Sequence, residues 1–139
     1  MTLVDTGPLV ALFDPKDAHH EPCRGALRAR ADSLATTVPV LTEAFHLLSP
    51  ASRGSQALRE FVLVGGMSLW FLDSGAVARA FELMERYADQ PMDLADASIV
   101  VAAERLKTRK VLTIDRKDFA AYRIQRGHRR VSFEVTRCK

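Results

Sequence analysis

Short apolar runs alternate along the chain with longer stretches in which apolar residues recur at helical spacing. The short runs predict strands over residues 2–5, 35–38, 67–72, 110–114 and 131–135. The longer stretches predict helices or helical turns over residues 9–13, 19–32, 39–49, 55–64, 75–87, 93–106 and 118–123. This alternation indicates one α/β domain over residues 1–139, with a mostly parallel sheet covered by helices on both sides.

Charge is unevenly distributed, although the 139 residues carry a formal net charge of only +3. Residues 1–104 contain 8 basic and 14 acidic side chains, whereas residues 105–139 contain 12 basic and 3 acidic ones. Hydrophobic residues make up 47% of the chain and charged residues 27%, which is the balance of a soluble globular protein. A strongly basic segment in such a protein suggests an anionic partner.

The sequence argues against a membrane protein and against a disulfide-rich secreted one. The longest uncharged stretch, residues 61–72, has 12 residues including two glycines, whereas a bilayer-spanning helix needs about 20 apolar residues. The N-terminus lacks the basic leader of a signal peptide. The two cysteines, Cys23 and Cys138, make no disulfide framework, and we therefore expect a reducing cytoplasm.

Two aspartates directly follow predicted strands. Asp5 closes the first strand, and Asp115 closes the strand over residues 110–114. Because open parallel sheets place their active sites beyond the carboxyl ends of the strands, both carboxylates are expected at one edge of the sheet. A structural role stays open at this point, since aspartates in such positions also form helix caps and Asx turns.

Further carboxylates lie on predicted helices in partly apolar surroundings. Glu43 has mainly apolar neighbours, so it is either part of a site or a buried partner of an arginine. Asp93 and Asp96 are three residues apart and project from one side of the first turn of their helix. Helix capping accounts well for Asp93 and poorly for Asp96, whereas Asp118 is interpreted as the cap of the turn leading to Phe119.

Carboxylates that converge on one site repel one another unless a positive charge lies among them. Mg²⁺ and Mn²⁺ prefer oxygen ligands and meet this requirement. One or two such ions can activate a water and stabilise the displacement at a phosphodiester, while a basic surface nearby holds the nucleic-acid backbone. The residue types therefore predict a metal-dependent phosphodiester hydrolase.

Four short motifs resemble those of PIN-domain ribonucleases. They are Leu3-Val4-Asp5-Thr6-Gly7, Thr42-Glu43, Asp96-Ala97-Ser98-Ile99 and Thr113-Ile114-Asp115-Arg116-Lys117-Asp118-Phe119. Each motif is short, and their common order makes the resemblance specific. Their spacing, and the order of elements over essentially the whole chain, are similar to those of the VapC toxins of bacterial type II toxin–antitoxin systems.

The resemblance implies a Rossmann-like αβα sandwich and an endoribonuclease that depends on Mg²⁺ or Mn²⁺. The catalytic metal ligands that it implies are Asp5, Glu43, Asp96 and Asp115, supported by Thr6, Thr113 and, as an auxiliary ligand or hydrogen-bonding neighbour, Asp93. It also implies single-stranded or looped RNA as substrate, a homodimer, and a VapB-like antitoxin that blocks the acidic pocket. The apolar surface of residues 61–72 and of the helix after them agrees with a dimer or a partner groove.

Two alternatives stay open from the residues. Asp5-Thr6-Gly7 also matches the Asp-Thr-Gly of dimeric aspartic proteases, although that fold is all-β and this chain contains strong helical patterns. The other alternative is a non-catalytic RNA- or protein-binding domain in which the carboxylates are structural. Its function would then be carried by the basic residues Arg123, Arg126, Arg129 and Arg130.

Overall fold

A computed structural model describes residues 1–138 of the chain. In this range the chain forms seven strands and seven helices. In chain order they are β1 (Thr2–Val4), α1 (Thr6–Phe13), α2 (His20–Arg28), β2 (Leu34–Thr37), α3 (Val38–Leu48), α4 (Arg53–Leu63), β3 (Ser68–Trp70), α5 (Ser74–Arg86), α6 (Leu94–Leu106), β4 (Lys110–Thr113), α7 (Arg116–Ala121), β5 (Arg123–Arg126), β6 (Arg129–Ser132) and β7 (Glu134–Arg137).

Five strands form one sheet in the order β3-β2-β1-β4-β7, and all four pairings are parallel. In the middle of the sheet, Leu3 of β1 is in register with Ala35 of β2 on one side and with Val111 of β4 on the other. These central strands are buried on both faces, which explains their continuous apolar runs. The predicted parallel sheet is confirmed, and with it an all-β aspartic protease fold is excluded.

Helices cover both faces of the sheet, so the predicted αβα architecture is confirmed. α1 packs against α2, α3 and α4, while α6 packs against α5 and lies against β1 and β2. The chain passes from β1 outward to β2 and β3, and then continues on the other side of β1 with β4 and β7. The winding therefore reverses between β1 and β4, and ligands of open α/β sheets bind beyond the carboxyl ends of the strands at such a point.

α6 is fixed in the interior along most of its length. Residues 97–103 of this helix are all buried, and three of them, Ala97, Ala102 and Ala103, are alanines that allow close packing. Near its carboxyl end, the partly buried Glu104 forms an ion pair with Arg79 of α5, with an N–O distance of 3.0 Å. None of the helices within residues 1–138 is long and apolar enough to cross a membrane.

The C-terminal region differs from the prediction of a single strand over residues 131–135, which is wrong. β6 ends at Ser132 and pairs with β5 in a separate antiparallel hairpin, whereas β7 begins at Glu134 and joins the main sheet. Phe133 is buried between them and packs edge-on against Phe119. Gly127 makes the hairpin turn with a φ of +60°, a conformation that glycine adopts without strain.

The two cysteines form a disulfide, which the reducing environment expected from the cysteine count did not predict. Cys23 of α2 is bonded to Cys138, which directly follows β7, and their Cα atoms are 4.6 Å apart. Sequence spacing gave no indication of this, because the two residues are 115 positions apart and meet only when β7 has joined the sheet. The cysteine count therefore no longer supports a reducing compartment.

We expect loss of this disulfide to destabilise the fold substantially. A bridge that closes a loop of this length lowers the entropy of the unfolded chain, and its removal should cost about 2–5 kcal/mol. Thermal unfolding of the Cys23→Ser/Cys138→Ser variant should occur at a lower temperature than that of the oxidised wild type. The reduced wild type should match the variant, and equal melting temperatures with and without reductant would contradict the bond.

Candidate active site

Asp5 and Thr113 lie side by side at the carboxyl ends of β1 and β4. The backbone N–H of Asp5 donates to the carbonyl oxygen of Leu112 over 3.0 Å and continues the parallel ladder. The hydroxyl of Thr113 donates to Oδ2 of Asp5 over 2.9 Å and accepts from the backbone N–H of Asp115 over 3.0 Å. Thr113 therefore connects Asp5 and Asp115, the two residues that follow the central strands β1 and β4. Asp5 itself is only 8% exposed.

Asp115 is exposed and begins α7. Its Oδ1 accepts from the backbone N–H of Asp118 over 3.3 Å, so Asp115 is the helix cap. The interpretation of Asp118 as the cap is wrong, because its own N–H is the capped group. The charge of Asp118 contributes to the raised pKa of Asp96.

Asp93 and Asp96 form a capping box at the start of α6. Asp93 accepts from the backbone N–H of Asp96 over 2.8 Å, and Asp96 accepts from that of Asp93 over 3.4 Å. Capping therefore accounts for part of the role of Asp96, contrary to the expectation from sequence. Its Oδ2 also accepts from the hydroxyl of Tyr122 over 3.3 Å, and the ring of Tyr122 is fully buried against Tyr87 and Phe119.

Glu43 approaches the site from α3. Thr37 caps this helix, and its hydroxyl is 2.6 Å from that of Ser98, so a buried hydrogen bond fixes the start of α3 to α6. Glu43 is half-buried and lines a pocket of about 630 Å³ together with His46 and Asp93. Within residues 1–138 it forms no ion pair, which removes the alternative of a buried Glu–Arg pair.

Burial and mutual repulsion disfavour the ionised form of several acidic residues at the site. Burial raises the pKa of Asp5 from 3.8 to about 6, and the charges of Glu43 and Asp93 act in the same direction. Burial, followed by the charges of Asp93 and Asp5, raises the pKa of Asp96 to about 8. The pKa of Asp118 is also raised, by its own desolvation and by its contact with Asp115. Each of these residues therefore binds protons more readily than an isolated aspartate.

The donor set fits a hard divalent cation in kind and in charge. The site offers carboxylate oxygens, and the mutual repulsion of Asp5 and Asp96 is what a bound cation would relieve. The buried hydroxyl of Thr6 has no hydrogen-bond partner in the described part of the chain and supplies a further oxygen. No three acidic, histidine or cysteine side chains within residues 1–138 converge on one point, so the residues that could hold the ion directly are few and water would complete its shell.

This combination of a parallel sheet and an acidic group at its winding reversal agrees with a known family. A family model of the PIN domain matches residues 2–125, and the chain belongs to the PIN-domain family. It is 30% identical over 123 residues to ribonuclease VapC26 of Mycobacterium tuberculosis. The aligned region covers 87% of this chain and 91% of that protein.

Two solved structures share the fold. The crystal structure of VapC20 from Mycobacterium tuberculosis, described as a sarcin–ricin loop cleaving toxin, superposes with a TM-score of 0.74 at 19% identity and covers 80% of this chain and 87% of that one. A chain of a toxin–antitoxin complex from Klebsiella pneumoniae superposes with a TM-score of 0.67 at 21% identity, covering 87% and 92% of the two chains.

We expect the metal-free protein to lose stability as the pH rises. Asp5 and Asp96 have pKa values above those of the unfolded chain, so the folded state holds more protons between pH about 4 and about 8. Stability therefore falls through this window, which thermal unfolding in a chelator would show. Asp96→Asn should flatten the dependence, whereas Asp89→Asn, in the exposed turn after α5, should leave it unchanged. An unaltered slope in Asp96→Asn would contradict this assignment.

Proposed function

We propose that the protein is a Mg²⁺- or Mn²⁺-dependent endoribonuclease of the VapC type, which hydrolyses RNA phosphodiesters. The observation that carries this proposal is the group of carboxylates gathered where the winding of the sheet reverses, in which burial and the charges of Asp93 and Asp5 raise the pKa of Asp96. Membership in the PIN-domain family and the likeness to ribonuclease VapC26 support the same activity.

The proposed metal ligands are Asp5, Glu43, Asp96 and Asp115; because no three of them converge on one point within residues 1–138, part of this set would hold the ion through water. When bound, the ion supplies positive charge to the scissile phosphate and to an attacking water. Asp118 adds negative charge to this group, a contribution that the sequence alone did not indicate.

The supporting residues act through hydrogen bonds that the fold provides. Thr113 orients Oδ2 of Asp5, so that this carboxylate is held in place by the neighbouring strand. Asp93 positions Asp96 through their capping box, and Thr6 offers its unpartnered hydroxyl beside Asp5. Because the contacts of Thr113 and Asp93 orient Asp5 and Asp96 before binding, they raise the affinity of the site for the ion.

The same proposal includes two protein partners, an antitoxin and a second copy of the chain. A toxin–antitoxin complex is among the structures that share this fold, which supports an antitoxin as partner. Several large apolar side chains are exposed on and after α4, among them Leu63 at 84%, Val64 at 81% and Phe71 at 68%. Apolar surface of this kind marks protein interaction sites, and we assign it to the homodimer.

The proposed activity places the protein in the cytoplasm, where its RNA substrate and its antitoxin are made. Thiols are kept reduced in that compartment, so the bond between Cys23 and Cys138 would be unusual there. The redox state of these cysteines in intact cells is therefore a direct check of the location.

We expect cleavage of single-stranded RNA to require both a divalent cation and Asp96. Chelation should abolish cleavage, and added Mg²⁺ or Mn²⁺ should restore it. Asp96→Asn should lower the rate of RNA cleavage by about 100-fold or more, because the substitution removes a carboxylate charge from the site where the transition state forms. RNA affinity and the melting temperature serve as controls for folding, and Asp89→Asn serves as the matched substitution.

Two outcomes would refute this mechanism. Cleavage that resists chelation, or full activity in Asp96→Asn, would show that the carboxylates are not catalytic. Retained RNA binding without cleavage in the wild type would instead support the non-catalytic binding domain.

We expect the wild type to sediment as a dimer and the Leu63→Ser/Val64→Ser variant to shift towards the monomer. Gln56→Ser, an exposed polar change on the same helix, is the matched control and should stay dimeric. A wild type that is monomeric at high concentration, and that products of neighbouring genes do not alter on coexpression, would contradict both partners.

A further inference from the structure

The β5–β6 hairpin carries a dense positive charge. Residues 123–132 contain four arginines and one histidine and no acidic residue. Arg126, His128, Arg129 and Arg130 are all exposed, and they flank the turn at Gly127. We call these four basic residues the hairpin cluster.

The arginines of the hairpin cluster have no protein partner. Within residues 1–138, Arg126, Arg129 and Arg130 form no ion pair and no side-chain hydrogen bond, whereas Arg79 binds both Glu82 and Glu104. Arg123, at the base of the hairpin, differs from them because its guanidinium folds back onto the carbonyl groups that end α7. The three outer guanidinium groups therefore keep all their donors available for a ligand.

The register of the hairpin places like charges directly opposite each other. Arg126 and Arg129 are cross-strand partners at the end of the ladder. Like charges in such a pair destabilise a hairpin, so the arrangement is unfavourable for the isolated protein. An anion that lies between the two side chains would remove this repulsion.

The rest of the protein nevertheless holds the hairpin firmly. Ile124 is fully buried, and the backbone N–H of Gln125 donates to Oε2 of Glu104 over 2.8 Å. The latter contact uses the carboxylate that also pairs with Arg79, so the hairpin is attached to both α5 and α6. The hairpin cluster therefore belongs to a hairpin that is anchored to the helical layer.

The hairpin begins at the acidic site and extends away from it along α6. Tyr122, just before β5, contacts Asp96 in the first turn of α6, whereas Gln125 contacts Glu104, eight residues further along the helix. Eight residues of α-helix span about 12 Å, and the cluster lies beyond this point. A polyanion bound at the carboxylates could therefore continue along α6 and reach the cluster.

We infer that the hairpin cluster is a second RNA-binding site, which holds the backbone phosphates of single-stranded RNA several nucleotides from the bond that is cut. This inference rests on the proposed ribonuclease function and adds to it a site for substrate retention. The arginines bind phosphate as charged fork-shaped donors, so the site contributes affinity and not base selection. The PIN-domain match ends at residue 125, so the cluster belongs to the part of the chain beyond it.

The test compares two variants that remove the same charge. Arg126→Gln/Arg129→Gln/Arg130→Gln changes the cluster, and Arg28→Gln/Arg53→Gln/Arg59→Gln changes three exposed arginines on α2 and α4. Both are assayed for cleavage of single-stranded RNA of about 4 and about 16 nucleotides. Binding is measured separately by fluorescence anisotropy in a chelator, where cleavage does not interfere.

The cluster variant should raise KM for the long RNA about tenfold with kcat unchanged, and it should leave KM for the short RNA unaltered. In the binding assay, the slope of log affinity against log salt should fall by about 2, since each lost phosphate contact on a single strand contributes about 0.7. The control variant should behave as the wild type. Melting temperatures should not fall in the cluster variant, because the repulsion of Arg126 and Arg129 is removed.

Several results would overturn the inference. Equal losses in the two variants would show that overall charge is sufficient, and equal losses on both RNA lengths would place the effect at the acidic site. Unchanged RNA binding with loss of an acidic protein partner would assign the cluster to that protein. Because binding is measured without cleavage, a failure of the ribonuclease proposal would leave this test readable.

Discussion

The parallel pairing of β1 with β4 is the contact on which the site depends. It places the residue after β1 beside the last residue of β4, so that the Thr113 hydroxyl meets Asp5 and also receives the N–H of Asp115. The two strands are 108 positions apart at Leu3 and Val111 and lie next to each other only because the winding reverses between them. The position of the first carboxylate is thus a property of the sheet, and no loop has to supply it.

Gathering carboxylates at this point is costly, and the surrounding hydrogen bonds show how the fold sustains it. The capping box of Asp93 and Asp96 uses the positive end of α6, where negative charge is favoured. The hydroxyl of Tyr122 gives Asp96 a second donor, and the Thr37–Ser98 hydrogen bond fixes the neighbouring helix. Structural roles and the proposed metal-binding roles therefore coincide in the same side chains, and a helix cap and a metal ligand are not exclusive interpretations of an aspartate.

Sequence patterns reach some of these features and not others, for physical reasons. Asp5 and Asp115 could be placed at one sheet edge because each follows an apolar strand, and the parallel direction of those strands is set by the helical crossovers between them. The role of Asp118 was predicted wrongly, because the identity of the capping residue depends on where α7 begins, and α7 begins two residues earlier than the pattern indicates. The β5–β6 hairpin was not predicted, because apolar and polar residues alternate without a break over residues 131–135. This range in fact contains the end of β6 and the start of β7, which belong to different sheets. Contacts between distant segments, such as the disulfide, leave no local signal.

The disulfide also gives the chain an asymmetric covalent topology. Cys23 and Cys138 close a ring that contains α3, α6, β4 and every acidic residue of the site except one. A single break of the backbone anywhere in that ring leaves the molecule in one covalent piece. β1 and Asp5 lie outside it, joined to the ring only through α1 and the turn before α2. One cut in that short turn would detach the central strand together with its carboxylate, so the backbone is least protected where the site depends on it most.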